Sequence, residues 1–300
     1  MMNKFILLMF FAVVAASNVV SASSVTDSAA VAKVDSTALS DADWHWTDLG
    51  DGAHAGWAQI RLFNSVQTIS IVKYPIRKFR TSLSHNPGRE ASATDSLALR
   101  CGAKMAINGS YFNVKALTPT TFFSCGHKIV GKTSPNELFR VNGLMALKGR
   151  NGRKIDIMYC DTARYEFYSK HYYSAIAAGP LLLKDGVVQS FRHDKSFNDK
   201  RHPRSVVGVT DRSRHNKGGQ FCYFIVVDGR FPGQGEGMTV RELALMSRYL
   251  GLSHSLNLDG GGSSTLWSAD TGVINHPYDN HRFDHEGCRV VPNIVSATAR

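Results

Sequence analysis

The sequence is poor in the short signatures that mark several catalytic classes. It contains no HExxH zinc pair and no GxSxG nucleophile elbow, so a zincin or an α/β-hydrolase serine site is not expected. Nucleotide binding through a glycine-rich phosphate loop is not expected either. There are only five cysteines, and no two of them form a CxxC pair. A cysteine zinc site is therefore not expected, and an odd count leaves at least one thiol over. Acids are scarce, with 24 Asp and Glu against 35 Lys and Arg, which gives a formal charge of +11. Such a surface attracts phosphate, nucleic acid and anionic glycans. No nucleic-acid-binding motif accompanies the charge. The basic residues are dispersed apart from Arg192 to Arg204 and Arg212 to Lys217. No repeat and no linker divides the chain, so one main domain is expected.

What is present begins with an apolar run, Phe5 to Ala16, behind Lys4 and followed by small residues through Ser24. This is the pattern of a secretory signal, with cleavage expected after Ala22. No cysteine lies in it, so a lipoprotein anchor is not expected, and no later stretch is long enough to span a membrane. An exported protein, secreted or periplasmic, is the expectation. Residues 23–43 are rich in Ala, Ser, Val and Asp and read as a flexible leader. Export permits disulfides; Cys101 with Cys125 is the expected pair, although the sequence does not fix it.

The domain then runs over 44–300. Trp57 to Phe63 and Thr68 to Tyr74 alternate as strands. Ala91 to Arg100 is helix-like. Thr118 to Lys132 reads as a long loop of the kind that carries a binding surface. Val141 to Lys148 and Lys154 to Tyr159 flank Gly149-Arg150-Asn151-Gly152 as a hairpin. Gln220 to Val227 is an almost wholly apolar strand ending in Asp228-Gly229, and Arg289 to Ala299 reads as a closing strand. Many strands, many turns and few helices predict an α+β fold with a largely antiparallel mixed sheet and a few packed helices.

Chemistry concentrates between Gly237 and Trp267. Thr239 and Glu242 fit a capping box, and Val240, Leu243, Met246 and Leu250 follow at helical spacing with Gly251 past the end. A short strand then delivers Asp259 into Gly260-Gly261-Gly262. Three glycines permit unusual backbone angles and close ligand approach, and their amides are positioned to form an anion-binding nest. Asp228 at a strand end and Asn108 before Gly109 are the other polar groups at exposed turns. For each, an ordinary turn is the simpler alternative.

Several stretches together resemble the phosphodiester glycosidase family. They are AINGSYFN (Ala106–Asn113), AAGPLLLKDG (Ala177–Gly186), RHPRSVVGVT (Arg201–Thr210), VVDGR (Val226–Arg230), GMTVRELALMSRYLG (Gly237–Gly251), LNLDGGGSSTLW (Leu256–Trp267), VINHP and RVVPNIVSA. Their order along the chain also fits. Ser205 replaces a threonine common in the family and keeps the hydroxyl. The segment from Trp44 to Arg100 carries little resemblance.

The resemblance implies hydrolysis of a sugar-1-phosphodiester at the anomeric carbon. Asp259 is then the first choice for catalytic carboxylate, as base or nucleophile, with Asp228 as its partner or as a sugar ligand. Arg204 is expected to hold phosphate bidentately, and the amides of Gly260, Gly261 and Gly262 to add donors. Asn108 and Tyr111 are expected to contact sugar. Arg230 and Asn275 complete the binding set, with Asn293 in support, while Glu242 is expected to serve chiefly as the helix cap. The partner is a phosphorylated glycan or sugar-1-phosphodiester, with no nucleic acid. No cofactor and no metal is predicted in the site; a structural calcium on Asp279 or Asp284 is left open. The alternatives are a noncatalytic binder of phosphoglycan or cell-wall polymer, a serine hydrolase through Ser263 or Ser264, and a metalloenzyme through His276, His281 and His285.

Overall fold

A computed structural model of the chain describes residues 33–87, 90–211 and 219–300. The signal sequence, the leader as far as residue 32 and the basic run from Arg212 to Lys217 lie outside the described residues. The leader expectation changes where it can be seen. Residues 33–40 are helical, Leu39 is buried in the core, and the Asp35 carboxylate accepts the Phe63 amide at 3.0 Å. Alternating small and polar residues hid one apolar contact, sufficient to fasten this segment.

The architecture is the expected α+β one, built on antiparallel strands. An eight-stranded sheet carries His45–Gly50, Ala53–Leu62 and Ser65–Pro75 as a meander. It continues through Phe221–Val227, Arg204–Thr210 and Leu252–Asn257 to Leu181–Lys184 and Val187–Val188. Two five-stranded sheets cover one face. One is built around Gly143–Lys148 and Ser174–Ala178; the other places Asn293–Ala299 between Met105–Asn108 and Phe79–His85. The apolar strand Phe221–Val227 is central, which is why it does not alternate: both of its faces meet a core. Cys222, Phe224 and Val226 face the covering sheets, while Ile225 and Val227 face the helix Val240–Tyr249.

That helix starts where the capping box predicts. Thr239 accepts the Glu242 amide at 3.2 Å and Glu242 accepts the Thr239 amide at 2.9 Å. Val240, Leu243, Ala244 and Met246 turn inward, and a fully buried side chain such as Leu243 contributes about 2 kcal/mol. Glu242 also receives a two-nitrogen contact from Arg201, so its role here is structural.

Two local expectations change. The stretch from Thr118 to Lys132 is not a free loop: Phe123–Cys125 pairs with Ser174–Ile176, and Phe122 and Phe123 are fully buried. Gly126 to Thr133 does spell GxxxxGK[ST], but it folds as a hairpin between Phe123–Cys125 and Lys128–Gly131. No α-helix begins after it, and Lys132 pairs with Glu166 while Thr133 bonds Phe122 and Tyr165. A phosphate loop needs strand, loop and helix in succession, so the spelling carries no nucleotide site. Finally, Cys101 and Cys125 are not joined; all five cysteines are free thiols.

Candidate active site

The strands Arg204–Thr210, Phe221–Val227 and Leu252–Asn257 end on the same side of the large sheet, because Arg204 pairs with Val227 and Val206 with Asn257. Asp259 leaves the last of these strands at that edge. It borders a cavity of about 240 Å³ whose walls include Tyr111, Arg140, Phe197, His202, Arg204, Arg230 and Arg289.

Asp259 is gripped by its backbone. Its amide donates to the Gly109 carbonyl at 3.1 Å, and its carbonyl accepts the Asn108 side chain at 2.6 Å. Its carboxylate accepts the Gly260 amide at 3.0 Å. Burial pushes this carboxyl up to about 6, against the opposing pull of Ser263, Arg140, Arg289 and the Gly260 amide. The Ser263 hydroxyl lies near enough to favour the ionised form, yet no well-formed hydrogen bond closes between them.

Four guanidinium groups surround this acid. Arg140 bonds Glu137 at 2.6 Å and lies 4.0 Å over the Tyr111 ring. Arg289 is held by Asp279 at 2.5 Å. Arg230 is exposed, stands 4.9 Å over Tyr278, and has no carboxylate partner among the described residues. Arg204 likewise forms no ion pair there. Two of the four positive charges are thus unneutralised by contact, and the cavity is basic.

Several expected roles change. Arg204 is buried, with Nε donating to Met238 carbonyl at 2.9 Å and both Nη2 hydrogens used on Phe197 and Lys200 carbonyls. A bidentate phosphate clamp needs two free nitrogens on one edge, and neither edge has them. Burial lowers its pKa to about 10. Asn108 is fully buried and is not part of the cavity wall. Its amide oxygen accepts Ser205 hydroxyl at 2.7 Å and Thr265 amide at 3.2 Å, and its nitrogen serves Asp259. Asn275 ties the Leu266 amide to Asp228 and the Ser264 carbonyl. Asn293 holds the Ser110 amide and hydroxyl, and so fixes the turn whose Gly109 carbonyl receives Asp259.

Asp228 is also buried and outside the cavity wall. It accepts His276 Nδ1 at 2.7 Å and the His276 amide at 3.0 Å, which opposes the upward push of burial on its own carboxyl. The His276 ring stacks 3.7 Å from Phe283. Tyr111 does line the cavity, but its hydroxyl donates to Gly179 carbonyl at 2.7 Å; its ring, not its oxygen, meets the space.

The glycines form a tight turn instead of an open nest. The Gly260 amide serves Asp259, the Gly261 amide serves Pro203 carbonyl at 2.9 Å, and the Ser263 and Ser264 amides close on Gly260 and Gly261. The glycines are required by close approach. A Cβ on Gly260 would lie 2.6 Å from Pro203 carbonyl, and one on Gly262 would press into the Asp279–Arg289 pair. Gly261 adopts φ +63°.

Neither Ser263 nor Ser264 hydroxyl has a hydrogen-bonded base among the described residues, so the serine route lacks its activating partner. No group of three or more metal-ligating side chains converges among the described residues. Asp279 holds Arg289, and Asp284 accepts Asn280 and Glu286 donors.

Arg140, Arg289 and His202 were not singled out from the sequence. His202 and Arg289 sit inside stretches that carry the family resemblance. Arg140 follows Phe139 between a short 3-10 turn and a strand, and no local pattern distinguishes it.

The layout is one elevated carboxyl in a basic cavity at the ends of interior strands. The family model of phosphodiester glycosidases matches residues 101–297, and the chain belongs to the phosphodiester glycosidase family. Solved structures share the fold, among them the two that follow. The catalytic domain of zebrafish N-acetylglucosamine-1-phosphodiester alpha-N-acetylglucosaminidase, auto-inhibited by its pro-peptide, is 18% identical with a TM-score of 0.58, over 87% of this chain and 83% of that one. A hypothetical protein from Synechocystis is 12% identical with a TM-score of 0.57, over 86% of this chain and 64% of that one. No curated protein matches the chain.

Proposed function

We propose that this protein is an exported hydrolase that cleaves a sugar-1-phosphodiester at the anomeric carbon–oxygen bond, releasing free sugar and a phosphomonoester. The observation that carries the reading is Asp259, with a carboxyl pushed up to about 6, facing a cavity bordered by four arginines. Family membership supports the reaction class, and an N-acetylglucosamine-like sugar is the first candidate.

In this reading the scissile C1–O electron pair leaves on the phosphate oxygen, and water supplies the new hydroxyl at C1. Glycosidases usually employ two carboxyl groups, one of them to protonate an alkoxide. A phosphate monoester has its last pKa near ~6 and leaves without that help. A single carboxylate in the cavity is therefore sufficient. Asp259 acts in its ionised form, as base toward water or as nucleophile toward C1. Arg230, exposed and without an acidic partner among the described residues, receives the phosphate, while Arg140 and Arg289 favour the ionised form of Asp259. Tyr111 and Phe197 offer ring faces to the sugar.

The test is turnover on a panel of sugar phosphodiesters, beginning with the methyl phosphodiester of α-N-acetylglucosamine. Wild type should release reducing sugar, and Asp259→Asn should reduce the rate on the order of 10³-fold with its unfolding transition retained. Binding of the panel without turnover would replace this reading with that of a noncatalytic phosphoglycan binder.

A further inference from the structure

A second group of cations stands at the other end of the molecule, away from the cavity. The strands Arg204–Thr210 and Phe221–Val227 begin and end, respectively, beside the cavity. Their far ends reach Thr210 and Phe221, where Phe221 pairs with Pro75. Seven residues of strand at ~3.3 Å each separate the two ends by about 20 Å.

At this far end two clefts open, of about 550 and 490 Å³. Arg80, Arg150 and Arg300 line the first; Arg77, Arg153 and Lys154 line the second. None of the six forms an ion pair among the described residues.

One of the cations is held in place. Arg300 donates to Phe79 carbonyl at 3.1 Å and Asn151 carbonyl at 2.8 Å, which binds the turn after Pro75 to the hairpin tip. Gly152, at φ +57°, packs so closely on the Thr81 backbone that a Cβ has no room. Burial, then repulsion from Arg153 and Arg80, lowers the pKa of Arg300. Like charges gathered with no acidic side chain paired to them among the described residues raise the free energy of the isolated protein, and an external anion relieves it.

We propose that this end is a docking surface for a linear, phosphate-bearing polyanion, separate from the catalytic cavity. The two shallow clefts adjoin, and cations spread across both suit an extended chain laid over them. Among the described residues, no large exposed hydrophobic side chain stands among the six cations to enter a membrane, and no exposed aromatic ring is there to stack a base. Arginine matches phosphate oxygens in the required paired geometry.

The experiment measures binding of long-chain inorganic polyphosphate to the protein by calorimetry across salt concentrations. An Arg77→Glu/Arg150→Glu variant should bind at least tenfold more weakly, with a log–log salt slope shallower by about 1.4, at ~0.7 per lost contact. Its turnover of a small sugar phosphodiester should be unchanged. An Arg77→Gln/Arg150→Gln variant, checked for an unaltered unfolding midpoint, should weaken binding in the same direction. Wild-type affinity in both variants would overturn the proposal. So would displacement of polyphosphate by a small phosphodiester that occupies the cavity. Tighter binding to anionic vesicles or to duplex DNA, at equal phosphate concentration, would also overturn it.

Discussion

The side-chain nitrogen of Asn108 lies 2.6 Å from the main-chain carbonyl of Asp259, 151 positions further along the chain. The next residue, Gly109, takes the Asp259 amide. One turn thus holds both backbone polar groups of the proposed catalytic residue. Asn108→Asp keeps the shape but has no hydrogen to donate to the Asp259 carbonyl, and it places a charge where none is paired. It should destabilise the fold by about 1–3 kcal/mol, read as a lowered denaturation midpoint. The surviving folded enzyme should lose kcat more than KM.

The pH dependence follows from the elevated carboxyl of Asp259. Its ionised form is the active one, so kcat/KM should rise through pH ~6 and level above it. A rate that falls across that interval would make Asp259 an acid instead.

The same elevation acts on stability. Below the ordinary value of 3.8, the carboxyl is protonated in both folded and unfolded chains. Between 3.8 and about 6 the folded chain holds the proton and the unfolded chain has lost it, so stability falls as pH rises. Above about 6 the cost is constant, at about 1–3 kcal/mol. Asp259→Asn should therefore stabilise the protein at pH 7 and bring no such gain at pH 3.5. Unfolding curves at the two pH values check this.

Two glycines separate fold from function. Gly260→Ala meets the Pro203 backbone, which cannot yield, and should cost about 1–3 kcal/mol. Gly262→Ala meets, as its three nearest atoms, the ends of the Asp279 and Arg289 side chains. It should leave the denaturation midpoint nearly unchanged while lowering kcat/KM, because Arg289 is displaced from the cavity.

Arg230→Gln removes an exposed guanidinium that bears on no internal acid. The fold should be unaffected, and kcat/KM should fall roughly 10- to 100-fold, mostly through KM, if a charge-assisted bond worth about 1.5–3 kcal/mol is lost. Arg204→Gln should behave oppositely, losing stability first, because carbonyls of Met238, Phe197 and Lys200 would be left without their donors.

Elements with strong local signals were legible in the sequence. The capping box at Thr239 and Glu242, the 149–152 hairpin and the apolar strand ending at Val227 all stand where their patterns place them. The position of Asp259 in a tightly approached turn was legible because three glycines follow a short strand. The roles of Asn108, Asn275 and Arg204 were not, since a polar residue at a turn reads alike whether it faces a ligand or braces a loop. Only tertiary packing decides that, as the carbonyl partners of Arg204 demonstrate. The helix at 33–40 and the buried Phe122–Phe123 pair share the same cause: their partners lie far away in sequence.

The most direct test of the central claim is hydrolysis of a sugar-1-phosphodiester in ¹⁸O-labelled water, followed by mass spectrometry of both products. Cleavage at the anomeric carbon predicts the label in the free sugar and an unlabelled phosphomonoester, with the signal lost in Asp259→Asn. Label in the phosphate, with sugar-1-phosphate or its alcohol released by phosphorus–oxygen cleavage, would contradict the account.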